Sequence, residues 1–74
     1  MAEKPDELKK LIAIAADLQL AADLRINAIK QLGKIGTHEA LLALLELAGN
    51  EHLIRKERDF ALKQAREIIK SVHE

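Results

Sequence analysis

Seventy-four residues, 49% of them hydrophobic and 32% charged, suffice for a single domain over 1–74 with a small core and a solvated exterior. With 12 Lys and Arg against 12 Asp and Glu, and no Cys, Trp or Tyr, the composition excludes a disulfide scaffold, a zinc ribbon, a basic nucleic-acid tail and an acidic disordered tail. Leu11 to Ala16, among the longest uncharged stretches, falls far short of the roughly 20 residues that span a bilayer, and the start Met-Ala-Glu-Lys-Pro lacks a signal-peptide core, so no membrane contact and a cytoplasmic location are expected.

Strong helix formers fill almost every position and no run alternates strictly in polarity, so the chain is predicted to be all-α. Pro5 suits the first position of a first helix, where Asp6 and Glu7 place negative charge beside the free N–H groups. Leu8, Leu11, Ile12, Ala15 and Leu18 then recur at three- and four-residue steps on one helix face. Leu24, Ala28, Ile29, Leu32 and Ile35 form a second stripe. Gly36 ends that helix, and Thr37 is the predicted N-cap of the next. Leu41, Leu44, Leu45 and Ala48 make a third stripe, stopped by Gly49-Asn50. The fourth runs through Ile54, Arg58, Ala61, Leu62, Ala65, Ile68, Ile69 and Val72.

Between Pro5 and Gly33 no Gly or Pro marks a boundary, and local propensity permits one helix from Asp6 to Leu32. An internal repeat supplies the break. Shifted by 33 residues, the chain matches itself at nine of 41 positions, including Leu8 with Leu41, Leu11 with Leu44, Arg25 with Arg58, Ala28 with Ala61 and Ile35 with Ile68. Ala16-Asp17 then falls on Gly49-Asn50, which places a turn near Asp17 to Gln19. The predicted fold is four helices in two stacked helical-hairpin units, each with an apolar stripe that it cannot bury alone. A plain antiparallel four-helix bundle, or a hairpin dimer built on one long helix, is the alternative.

The segment Asp23-Leu24-Arg25-Ile26-Asn27-Ala28-Ile29-Lys30-Gln31-Leu32-Gly33-Lys34-Ile35-Gly36 resembles the first helix of a HEAT-like repeat of the phycobilisome-lyase type, in which Arg and Ala precede Leu-Gly-x-Ile-Gly. Thr37 to Leu45 resembles the second helix of that repeat. Residues 57–72 match only at the Arg, Ala and Ile positions, with Ala65-Arg66 where Leu-Gly would stand. The resemblance implies a scaffold or protein-binding module, with Arg25 and Arg58 bracing neighbouring units through acidic partners.

Ile14, Ile26, Leu42, Leu47 and Phe60 lie off the main stripes. They either form a second core face or stay exposed as an interface. Ile26, Leu42, Leu47 and Phe60 are the predicted partner-binding residues, and a homodimer that covers an open end of the stack satisfies both readings. His38-Glu39, Glu51-His52 and His73-Glu74 are the His–Glu neighbours. HEAT-like di-iron hydroxylases open their repeats with such pairs, but Lys56-Glu57 stands at the corresponding place here, so no metal and no cofactor are expected. Catalysis lacks parts: Thr37 is better explained as a cap, Ser71 lies in the last turn, and no glycine-rich phosphate loop opens a helix. The chain is therefore not expected to be an enzyme, and no small-molecule substrate is evident.

Basic residues Arg55, Lys63, Arg66 and Lys70 share a side of the last helix, but Glu51, Glu57, Asp59 and Glu67 interleave with the cations there. A nucleic-acid-binding module is thus the weaker alternative to protein binding. A designed or minimal helical repeat protein without a natural ligand fits the same consistency of propensity and capping.

Overall fold

The computed structural model describes residues 5–73, with side chains described for 7–71. The side chains of Asp6 and Val72 and the His73-Glu74 pair therefore lie outside the described residues. Four helices are present: α1 (Pro5–Ala16), α2 (Ala22–Ile35), α3 (His38–Ala48) and α4 (Arg55–His73). No strand occurs among the described residues.

The helix ends follow local chemistry. Pro5 opens α1, where its missing N–H costs nothing. Gly36 closes α2 at φ 66°, and its N–H donates to the Leu32 carbonyl. A side chain with a Cβ is strained in that left-handed conformation. Thr37 caps α3 by accepting the Ala40 N–H at 3.1 Å. One residue therefore ends a helix and the next begins another.

The chain turns between Ala16 and Ala22, so α1 and α2 are separate helices. The turn is held by side-chain chemistry that needs neither Gly nor Pro. Asp17 Oδ1 accepts the Gln19 N–H at 3.0 Å, and the Leu20 N–H donates to the Asp17 carbonyl at 3.2 Å. The α3–α4 turn repeats this pattern 33 residues later: Asn50 Oδ1 accepts the His52 N–H at 2.9 Å, and the Leu53 N–H donates to the Asn50 carbonyl at 3.1 Å. Entry into the following helix also repeats, with Leu24 N–H to Ala21 O and Glu57 N–H to Ile54 O, both 3.0 Å. The two hairpins are built on one plan.

The helices form two layers. Helix α1 packs on α2 and α3 on α4, while α2 also packs on α4 and α1 on α3. Among the described residues α1 and α4 do not touch. A closed up-and-down bundle would bring its first and last helices together. Helix α2 also packs on α3, so the four helices make a small bundle in which α2 and α4 lie side by side and α1 and α3 lie side by side.

Ile29, Leu32 and Leu44 are wholly buried, among Ala15, Ala28, Ala40, Ala61 and Ala65 at helix contacts. Small residues there let the helices approach closely. Burial of each large side chain is worth about 1.5–3 kcal/mol.

Each predicted stripe is rotated or trimmed in the fold. Leu24 is exposed and Arg25 is buried in its place. In α3 the buried residues are Ala40, Ala43, Leu44 and Leu47, and Leu45 points outward. In α4, Glu57 enters the core while Ile54, Leu62 and Ile69 stay exposed. Leu18 is likewise exposed.

Candidate helix-surface interface

The site is organised around an ion pair in the upper layer. Arg25 on α2 donates from Nε to Glu57 Oε1 at 2.8 Å and from Nη2 to Glu57 Oε2 at 2.9 Å. The Arg25 Nη1 donates to the carbonyls of Leu20 at 2.6 Å and Asp17 at 3.2 Å. The guanidinium thus joins α2 to α4 and ties both to the preceding turn. Glu57 is only 1% exposed, so its charge is desolvated and is sustained by the two-pronged geometry. The hydrogen bonding that Arg25 donates to Glu57 is the main cause that holds Arg25 above its ordinary pKa, against the opposing effect of burial.

Above this pair lies an open groove of about 770 Å³ between α2 and α4. Ile26, Ile54 and Phe60 supply its apolar surface, Asp23 and Lys63 stand among its charges, and Glu57 is part of its lining. No protein-family model matches this chain, and no curated protein or solved structure does.

Two of the predicted partner-binding residues, Ile26 and Phe60, meet in the groove, and both are half-buried. Leu42 is 50% exposed on α3 but does not line the groove. Leu47 is buried at 4% exposure and belongs to the core instead of the surface. The physical reason is the composition of α3: eight of its eleven residues are Ala or Leu, so an apolar stripe can be drawn on several sides. Packing selected the side that carries Ala40 and Ala43, which fit close to neighbouring helices. Ile14 is half-buried against the core.

Sequence reasoning missed Glu57 and Ile54. Glu57 carries no repeat signal, because its counterpart 33 residues earlier is Leu24. Ile54 had been placed on a core stripe, yet it is 55% exposed at the groove.

A second apolar surface runs along α4. Arg55, Arg58, Leu62, Arg66 and Ile69 follow at steps of three and four and therefore share one face. Arg55 and Arg66 are exposed, as are Leu62 and Ile69. The Arg58 Nε is out of contact with solvent and has no hydrogen-bond partner among the described residues. Arg25 therefore has the acidic partner expected of a repeat arginine, and the Arg58 Nε does not.

The remaining candidates are accounted for locally. The Thr37 hydroxyl is committed to its cap. Ser71 lines a small cleft of about 230 Å³ with Lys34 and Glu67. Among the described residues no three of His, Asp and Glu gather as metal ligands, and no helix is long and apolar enough to cross a membrane.

Proposed function

We propose that this chain is a non-catalytic protein-interaction or assembly module of HEAT-like design that works through helix surfaces. The observation that carries the reading is apolar exposure on a braced scaffold. Leu42, Leu45, Ile54, Leu62 and Ile69 all remain substantially exposed, while the Arg25–Glu57 pair holds the helices beneath some of them in place. A small domain that leaves this much large apolar surface uncovered gains free energy when a second surface covers it. The bond-for-bond repetition of the two turns supports the repeat reading.

Self-association is the simplest form of such assembly. Mass measured by analytical ultracentrifugation over a wide concentration series tests it. The expected result is a shift from monomer towards dimer as concentration rises. A monomer throughout, together with failure to retain any protein from a lysate, would reject the interaction reading as a whole.

A further inference from the structure

We infer that the outer face of α4 docks an acidic amphipathic helix of another protein, in the place where a following repeat would lie. The inference rests on the interaction reading above and names a surface and a partner chemistry for it.

The chain contains its own template for the contact. On α2, Arg25 meets Glu57 of α4, and Gly33 sits so close to Gln64 of α4 that a Cβ there would clash with it. Ile29 lies between Arg25 and Gly33 on that same face and is 0% exposed. The counterparts 33 residues on are Arg58, Leu62 and Arg66. Leu62 is 36% exposed, and the Arg58 Nε is excluded from solvent without a partner among the described residues. The first face is covered by a helix that delivers a carboxylate. The second has Leu62 uncovered and, among the described residues, no carboxylate on the Arg58 Nε.

The charges select the occupant. Arg55, Arg58 and Arg66 flank Leu62 and Ile69, and Asp59, four residues after Arg55 and three before Leu62, is the one carboxylate beside them, so the face stays cationic. A covering helix thus needs a carboxylate on either side of an apolar residue, to reach Arg58 and Arg66 while that residue packs on Leu62. Arg66 in place of Gly33 also prevents the close approach that Gln64 makes to α2, so the covering helix sits further out and meets charge instead of backbone.

A second copy of this chain fits poorly. Two-fold pairing of α4 with α4 brings three arginines of each copy together against a single Asp59 from each, which leaves most of the positive charge unopposed. Head-to-tail stacking offers the outer side of α2, where Leu24, Asn27 and Gln31 are exposed and Asp23, one turn before Asn27, is a single carboxylate for two arginines. Nucleic acid fits less well too, because Leu62 and Ile69 interrupt the cationic row and the formal charge of the chain is +0.

The probe is a fluorescein-labelled helical peptide with Leu along one stripe and Glu beside it, and a control peptide with Lys for each Glu. Anisotropy titrations with the full chain should show binding of the acidic peptide only. Arg58→Gln and Arg66→Glu should each weaken it about tenfold or more, as expected for loss of a charged hydrogen bond at an interface. Leu62→Ser, at an exposed position, should weaken binding without unfolding the chain. Lys30→Ser, exposed on α2 and outside the groove, should leave it unchanged. Equal binding of both peptides, no binding of the acidic one, or tighter binding of a DNA duplex at the same face overturns the inference. Loss of binding in Phe60→Ser with Arg58→Gln unaffected overturns it as well, by moving the contact to the groove while the interaction reading stands.

Discussion

Arg58 stands where Arg25 stands, one 33-residue repeat later, yet Arg25 makes four hydrogen bonds and the Arg58 Nε makes none among the described residues. The difference is tertiary. Arg25 has a neighbouring helix that brings Glu57, and among the described residues no carboxylate accepts from the Arg58 Nε. One residue type thus serves as a brace in the first hairpin, while in the second it is half-buried with an unpaired Nε.

The brace gives a direct prediction. Glu57→Gln keeps the shape but removes the charge that offsets a desolvated guanidinium, so thermal unfolding should fall markedly. The double variant Arg25→Met, Glu57→Leu removes both charges and should recover much of the loss. Circular-dichroism melts of the two variants decide it; equal instability in both would show that the pair is not the controlling feature.

The pH dependence follows from the direction of the Arg25 shift. Its folded pKa is raised, so the stability contributed by its charge is fully present below the ordinary arginine value and is lost only as pH climbs through the raised one. Melting between neutral and moderately alkaline pH should show no step from this residue. Arg25→Lys, besides losing the fork geometry, should bring an alkaline loss down towards the lysine range, about 10.4 in model peptides. Melts of both proteins across alkaline pH test this.

Adjacent-looking leucines should behave differently. Leu47→Ala empties a buried site and should cost about 2–5 kcal/mol. Leu24→Ala, at 50% exposure, should stay within about 0.5 kcal/mol of the parent. Urea denaturation with a common slope measures both.

The α2–α3 corner depends on two neighbouring residues for separate reasons. Thr37→Ala removes the cap on the Ala40 N–H and should cost about 1 kcal/mol. Gly36→Ala forces a Cβ into a left-handed conformation and should cost about 1 kcal/mol or more. Each is read from its own denaturation curve, because neighbouring substitutions need not add.

Local chemistry was open to reading because it acts over a few residues. The Gly36 stop, the Thr37 cap, the Gly49-Asn50 turn and the Pro5 start each depend on a backbone preference or a nearby hydrogen bond. The turn at Asp17 has no Gly or Pro, but the 33-residue repeat placed it, since Asp17 and Asn50 can accept the same kind of bond. The groove was half legible: Ile26 and Phe60 stood out as apolar residues off their stripes, and they do meet.

Legible in the sequence by itself were the all-α class, the α2–α3 corner and the Gly49-Asn50 stop, with the Asp17 turn favoured over one long helix, because propensity and capping are short-range. Only the tertiary structure decided which way each helix turns. In α3 nearly every side is apolar, and in α2 Leu24 and Arg25 compete for the interior, so periodicity alone does not choose between neighbouring faces. The choice went to Arg25 and Glu57, 32 residues apart, because a desolvated charge needs a correctly placed opposite charge, and only the packed arrangement of α2 against α4 provides it.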